Sequence, residues 1–266
     1  MLKLKNKNMK NNNPLISIIT PSYNQGQFIE ENIKSVQNQT YKNFEHIVID
    51  GGSTDNTLKI LKKYTGKIKW ISEKDKGQPD ALNKGFKMAK GDIVCYLCAD
   101  DYYQKDTLAT VVDFFKRNKE AKILTADYTI IDEKNNEIHS FVRLYKKIFW
   151  LINSYYTFLF VNYVNQPSTF WKKELFDEFG YFDIKYQYEF DYEWWLRVAS
   201  KYKIFIINKK LSFFRLHKSS KSGSRYIKQF VEDYEVVENK TDNKLLLFFK
   251  KNHNNLIVNI YKLIRF

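Results

Sequence analysis

The chain has 266 residues and a mass of 32.0 kDa, and its 44% apolar and 17% aromatic content is enough for a sizeable core, which excludes wholesale disorder. Its net charge of +14 would suit a nucleic-acid binder, yet residues 14–200 hold 25 basic and 25 acidic residues, whereas residues 1–13 add four Lys and residues 201–266 a net +10. A neutral body with two basic ends argues against a nucleic-acid face and suits a catalytic or binding domain tethered to something anionic.

The leader "MLKLKNKNMKNNN" (1–13) lacks the apolar centre of a signal peptide and reads as a polar, basic arm. No apolar run approaches the ~20 residues of a membrane span, so a cytoplasmic location is expected. "LISIIT" (15–20) is a β-branched strand ending at Pro21, and "QFIEENIKSVQNQ" (27–39) repeats Ile29, Ile33 and Val36 at helical spacing. "FEHIVI" (44–49) is the next strand, Leu58, Leu61 and Tyr64 mark a helix, and "IKWI" (68–71) is a third strand. A helix over 79–90 leads to a fourth strand, "DIVCYLC" (92–98). There Cys95 and Cys98 would point to opposite faces, so they form no bridge and are expected to be reduced core thiols. A helix through Leu108, Val111, Val112 and Phe115 precedes the strand "KILTA" (122–126).

This alternation predicts an α/β fold, a mainly parallel sheet with helices on both faces. Ligands in such sheets bind beyond the carboxyl ends of strands. Four polar loops fall there: "PSYNQG", "DGGSTD", "EKDKGQPD" and "ADDYY". The second half is less regular. "YTIIDEKNNEIHSFVR" reads as a hairpin, "FWLINSYYTFLF" as an apolar cover, and "NQPSTFWKKELFDEFGYFD" as a strand and short helix stopped by Gly180. "DYEWWLRVASKY" reads as a helix, with Trp171, Trp194 and Trp195 in the core, and "KIFII" and "LSFFRLH" as two more strands. No linker precedes about residue 218, so the expected units are the leader, a domain over 14–217 and a basic extension over 218–266.

Gly51 to Asp55 can serve as a capped turn, but capping does not need Asp50, whose carboxylate can accept a hydrogen bond from a base or ribose. Neither G-x-G-x-x-G nor G-x-x-x-x-G-K-[ST] occurs, which disfavours a standard dinucleotide or P-loop enzyme. Asp100 and Asp101 would repel each other at the rim unless a hard cation such as Mg²⁺ or Mn²⁺ sat between them and a phosphate. Glu189, Asp191 and Glu193 open a helix. They suit either the helix dipole or a general base, and only Asp191 leaves the face shared by the other two.

Four stretches together resemble the family 2 glycosyltransferases of GT-A (Rossmann-like) fold, over about residues 15–217. They are "SIITPSYNQGQFIEENIKSVQNQTYKNFEHIVIDGGSTDNT", "EKDKGQPDALNKGFKMAKGDIVCYLCADD", "NQPSTFWKKELFDEFGYFD" and "EFDYEWWLR". The subgroup most resembled builds bacterial O-antigen (lipopolysaccharide) and capsular polysaccharide. The resemblance implies inverting transfer from a nucleotide-diphosphate sugar, with Mn²⁺ or Mg²⁺, to a lipid-linked glycan. It places Pro21, Ser22, Tyr23, Asp50 and Gly52 around the nucleoside, and Asp80, Lys84 and Asp100 near the ribose, diphosphate or donor sugar. Asp101 becomes the direct metal ligand and Asp191 the catalytic base. In the "R-x-H" segment Arg215 or Lys218 would neutralise phosphate and His217 would complete the metal shell, while Gln166 would meet the acceptor. Many members carry an acid where this chain has Gly51, which leaves the base open, with UDP favoured. A non-catalytic nucleotide-sugar or glycan-binding protein of the same fold is the alternative.

In the tail (242–266), Leu246, Phe249, Leu256, Ile260 and Ile264 follow helical spacing among Lys250, Lys251, Lys262 and Arg265. Two roles suit such a helix: packing on the domain, or lying on anionic lipid at the inner face of the cytoplasmic membrane.

Overall fold

The computed structural model describes residues 13–263; most of the leader, and Ile264 and Arg265 of the tail stripe, lie outside the described residues. Strand β1 (Ile16–Ser22) pairs in parallel with β2 (Phe44–Asp50) on one side and β4 (Ile93–Tyr96) on the other, and β3 (Lys69–Ser72) adds beyond β2. β7 (Thr169–Lys172) runs antiparallel between β4 and β6 (Ile123–Ile131). β8 (Ile204–Arg215) is parallel to β6, and the two-residue β5 (Tyr102–Tyr103) closes the far edge. Among the described residues the eight-stranded order is β3-β2-β1-β4-β7-β6-β8-β5, a mixed, mainly parallel sheet.

Between these strands run helices α1 (Ile29–Gln37), α2 (Thr57–Lys63), α3 (Gln78–Met88) and α4 (Thr107–Arg117). Strand alternation divides the core: Ile47 and Ile49 meet Leu82 and Phe86 of α3, while Val48 meets Ile29 and Ile33 of α1 on the other face. α8 (Phe190–Ala199) buries Trp194 and Trp195 with Trp171 of β7, so the three indoles are core residues.

Several boundaries differ from the sequence reading. β1 runs on through Pro21; pairing with β4 ends at Ile19, so the side lacking a donor need not complete a ladder there. β4 stops at Tyr96, because the chain turns with Asp101 N–H on the Cys98 carbonyl. Cys98 is therefore at the rim, half-buried, and only Cys95 is a core thiol. The two strands expected after residue 203 are one, β8, whose register shifts at Ala126 and Asp127 of β6 absorb the irregular middle. The expected hairpin shrinks to a bridge from Ile131 to Glu137, and its second arm becomes α5 (Ser140–Trp150). The apolar cover is the end of α5 with α6 (Tyr155–Phe160); α7 (Leu175–Phe179) stops at Gly180, φ +70°.

Beyond β8, the short α9 (Lys221–Ser224) leads into α10 (Tyr226–Glu238) and α11 (Lys244–Leu263). α10 contributes Val236 and Val237 to the same core as α8, so this segment packs as part of the domain. Lys250, read among the tail cations, is buried and paired with Asp233 of α10 at 2.6 Å.

Candidate functional site

The carboxyl ends of the parallel strands open into a cavity of about 1240 Å³. Pro21, Ser22 and Tyr23 leave β1 into its wall; Tyr23 is 60% exposed, and the buried Ser22 Oγ has no partner. Asp50 stands behind this wall. Its Oδ2 accepts from the N–H groups of Gly52 (3.1 Å) and Ser53 (2.9 Å) and from Ser72 Oγ (2.6 Å), and its Oδ1 from Ser53 Oγ. The carboxylate is thus spent on folding its own loop, where Gly52 takes φ +83°. A Cβ on Gly51 would lie 2.6 Å from Asp75 Oδ2. Asp75, from the loop after β3, lines the cavity and fills the space that a side chain at 51 would take.

Asp80 and Lys84 are not among the cavity-lining residues. One turn apart on α3, they bind the preceding loop instead: Asp80 Oδ2 accepts Lys76 N–H at 3.0 Å, and Lys84 Nζ meets Glu73 Oε1 at 2.7 Å and Asp80 at 3.5 Å.

The donor atoms of Cys98, Asp100 and Asp101 lie within 4.8 Å of one another. Asp100 faces the cavity, and its Oδ2 is 3.0 Å from His217 Nε2, whose other ring nitrogen is 2.8 Å from Ser219 Oγ. Asp101 is buried beneath; Oδ1 accepts Arg215 N–H at 2.8 Å, while Oδ2 is buried with no partner. Burial, then repulsion from Asp100, pushes the Asp101 carboxyl well above the usual range. A divalent cation would supply the missing partner and relieve both, so the donor set fits one. Arg215 also lines the cavity. Its guanidinium is buried and donates to the Asp100 and Asp132 carbonyls, Asn135 Oδ1 and Glu31 Oε2, so it fixes the acid pair from behind. Lys218 is exposed, whereas Lys221 lines the cavity with Nζ on the Gln187 carbonyl at 2.8 Å.

Asp191, in the first turn of α8, lines the same cavity. Tyr96 Oη donates to its Oδ2 at 2.6 Å and Tyr192 N–H to its Oδ1 at 2.7 Å. Burial raises the Asp191 carboxyl to about 6 against these two bonds, which favour its charged form. Lys146 of α5 lines the cavity too, pushed down to about 8 by burial and held up by Glu189 and Asp191. Gln166 is brought in beside them, its Nε2 on the Tyr96 carbonyl at 2.9 Å.

Sequence reading missed Tyr96, Lys146, Asp75, Cys98 and Lys221, and also the support of α8 from the C-terminal segment. Glu232 of α10 accepts the N–H groups of Gln187 (2.8 Å), Tyr188 (2.5 Å) and Glu189 (2.6 Å), holding the entry to α8. Gln229 Nε2 binds Glu189 Oε1 at 2.7 Å, and Lys240 binds Glu193 at 2.7 Å, so the two acids flanking Asp191 are engaged by α10 and the turn after it. Only the "EKDKG" spacing could have flagged Asp75; the other signals are tertiary.

Residues 17–180 match the family model Glycosyl transferase family 2. The chain is 31% identical over 222 residues to an uncharacterized glycosyltransferase of Haemophilus influenzae, covering 81% of this chain and 84% of that one. It is 33% identical over 138 residues to the putative teichuronic acid biosynthesis glycosyltransferase TuaG of Bacillus subtilis, covering 50% and 54%. Among solved structures, S. aureus TarS 1–349 in complex with UDP-GlcNAc superposes with a TM-score of 0.65 at 19% identity, over 94% of this chain and 73% of that one. A Pyrobaculum calidifontis mannosyltransferase with GDP-Man and Mn²⁺ superposes with a TM-score of 0.69 at 18% identity, over 89% and 69%. Those structural likenesses establish the fold, and the family match extends it to the reaction class. The chain belongs to glycosyl transferase family 2 and is a sugar-transferring enzyme.

Proposed function

We propose that the enzyme transfers a sugar, with inversion, from a nucleotide-diphosphate sugar to a hydroxyl of a growing, lipid-linked cell-surface glycan of the O-antigen or capsule kind. A UDP-sugar is the favoured donor. One observation carries the reading: a single cavity is walled both by Asp100 of the acid pair and by Asp191. With a pKa near 6, Asp191 is ionised at neutral pH yet basic enough to take a proton as the acceptor oxygen attacks. That oxygen bonds to the anomeric carbon, the carbon–diphosphate bond breaks, and the hydroxyl proton passes to Asp191. Tyr96 and the Tyr192 N–H hold the carboxylate in place, and Gln166 orients the acceptor.

Asp101 and Asp100, with His217 behind Asp100, would hold Mn²⁺ or Mg²⁺, whose positive charge would stabilise the leaving diphosphate. Lys221 adds a cation on the same wall. Tyr23 offers its ring to the base, flanked by Pro21, Ser22 and Asp75, with Asp50 and Gly52 shaping the pocket from behind. Asp80 and Lys84 brace the loop that carries Asp75. The donors named for similar proteins, UDP-GlcNAc and GDP-Man with Mn²⁺, support a nucleotide sugar and a metal; the teichuronic acid name of TuaG supports a surface polysaccharide. No described helix is long and apolar enough to cross a membrane, so a lipid-linked acceptor at the inner face would be met from the surface, with α11 against anionic lipid.

The test is a thermal-shift panel of nucleotide diphosphates and nucleotide sugars, with and without Mn²⁺, on wild type and Asp101→Ala. The expected result is stabilisation by one nucleotide that needs both the metal and Asp101. No response to any nucleotide at saturating concentration would overturn the reading.

A further inference from the structure

Helix α5 is built inside out. Its cations turn inward, with Arg143 Nε 3.1 Å from Asp127 Oδ1 and Lys147 Nζ 2.7 Å from Asp127 Oδ2, and Asp127 is itself buried beside the β6 bulge. Its outward residues are apolar: Phe141, Leu144 and Ile148, followed by Leu151 and Ile152 in the next turn, are all at least half exposed, Leu151 to 88%. A helix facing water shows the reverse pattern, and a contiguous exposed apolar patch marks an interface.

Helix α11 touches α5 and carries a second exposed apolar face. Tyr145 Oη and His253 Nε2 join the two helices at 2.5 Å. At 100° per residue, Leu245, Phe248, Phe249, Leu256 and Leu263 fall on one outward stripe, interrupted by Asn252 and Asn259, and these five apolar residues are all more than half exposed. Lys244, Lys251 and Lys262 form a second exposed stripe beside it. Tyr156, 70% exposed at the start of α6, adds an aromatic of the kind that settles at a lipid–water boundary.

Two occupants would bury such a face. In a twofold dimer the basic stripe and the +10 segment of one copy would confront those of the other. An anionic bilayer neutralises the same charge while taking up the apolar stripes. Phe141, Val142 and Tyr145 of α5 and Leu256, Ile257 and Ile260 of α11 also line the cavity that holds Asp191. We infer that the joint face of α5 and α11 lies on an anionic lipid surface, and that the gap between the helices is the port through which a lipid-anchored acceptor reaches Asp191. The port rests on the function proposed above; the lipid face does not.

The full chain is floated with vesicles of phosphatidylcholine and phosphatidylglycerol in equal parts, and with phosphatidylcholine alone. The variants are Leu144→Ser/Ile148→Ser/Leu151→Ser and Lys244→Glu/Lys251→Glu/Lys262→Glu. Wild type floats with the anionic vesicles, and both variants lose about tenfold or more of that binding, while their melting temperature and their stabilisation by nucleotide stay at the wild-type values. A wild-type chain that stays with the soluble fraction, an α5 variant that floats like wild type, or a wild-type dimer made monomeric by the α5 changes overturns the lipid face. The port predicts that the α5 variant loses transfer to an acceptor embedded in vesicles while keeping transfer to a short-chain soluble one; equal loss of both removes the port. Flotation without any nucleotide response upholds the lipid face and sinks the proposed donor instead.

Discussion

The parallel half of the sheet and the helical half beyond β7 reach the same cavity by different means. In the first half each site group stands at a strand end or in the loop that follows it: Ser22 closes β1 and Tyr23 follows it, Asp75 lies in the loop after β3, and Asp100 and Asp101 in the turn after β4. In the second half Asp191 sits on a helix whose entry is held by Glu232, 41 positions further along the chain, and whose flanking acids are bound by Gln229 and Lys240. The groups proposed for the donor come from loops at strand ends, with the acid pair braced from behind by Arg215 and His217, whereas the base proposed for the acceptor side depends on helix packing. The two halves should therefore fail separately when they are cut.

The sharpest separation is Asp191→Asn. Removing the proposed base should lower kcat by about 10²–10⁴-fold while leaving nucleotide-dependent stabilisation intact. Binding lost together with turnover would mean that the halves are not independent. Asp101→Ala cuts the other half: metal-dependent nucleotide binding should fall about 100-fold in titration calorimetry, while removal of the buried, repelled carboxyl is set against the Arg215 N–H left without its acceptor.

Glu232→Ala tests the packing claim. Three N–H groups at the entry to α8 lose their acceptor, so stability should drop by about 1–3 kcal/mol in denaturant unfolding, and kcat should fall. Tyr96→Phe is subtler. The Tyr96 hydrogen bond favours the charged form of Asp191, so losing it raises that pKa. The acid limb of the pH–rate profile, expected near 6 in wild type because the base must be ionised, should move to higher pH. A limb that stays in place or moves down would detach Tyr96 from the base. The smallest effect expected is that of Tyr23→Ala, a loss of roughly 1–3 kcal/mol of nucleotide affinity if its ring stacks on the base.

The same contrast explains what could be read from the chain alone. The alternation of strands and helices, the polar loops at the rim and the Asp pair were legible because each is written in contiguous residues with a fixed period. Asp191 was legible only as one of three acids until the family pattern singled it out. Tyr96 was not, since a tyrosine inside an apolar run reads as core and its partner lies 95 positions away. Lys146 reads as one more solvated lysine until burial beside Glu189 and Asp191 is seen. Arg215 was legible as a cation at a strand end, and it lines the cavity, but only the finished fold shows its guanidinium bound to Glu31, Asn135 and two carbonyls.

The contact between Gly51 and Asp75 carries a consequence for how such sites diversify. A side chain at 51 would overlap the Asp75 carboxylate at 2.6 Å, so the two positions behave as one slot with room for a single acid. A side chain introduced at 51 would push the Asp75 carboxylate aside, and Asp75 removed alone would leave the Gly77 N–H without its acceptor. Substitutions at 51 and 75 should therefore be coupled, so that a double-mutant cycle on stability returns a non-zero interaction energy.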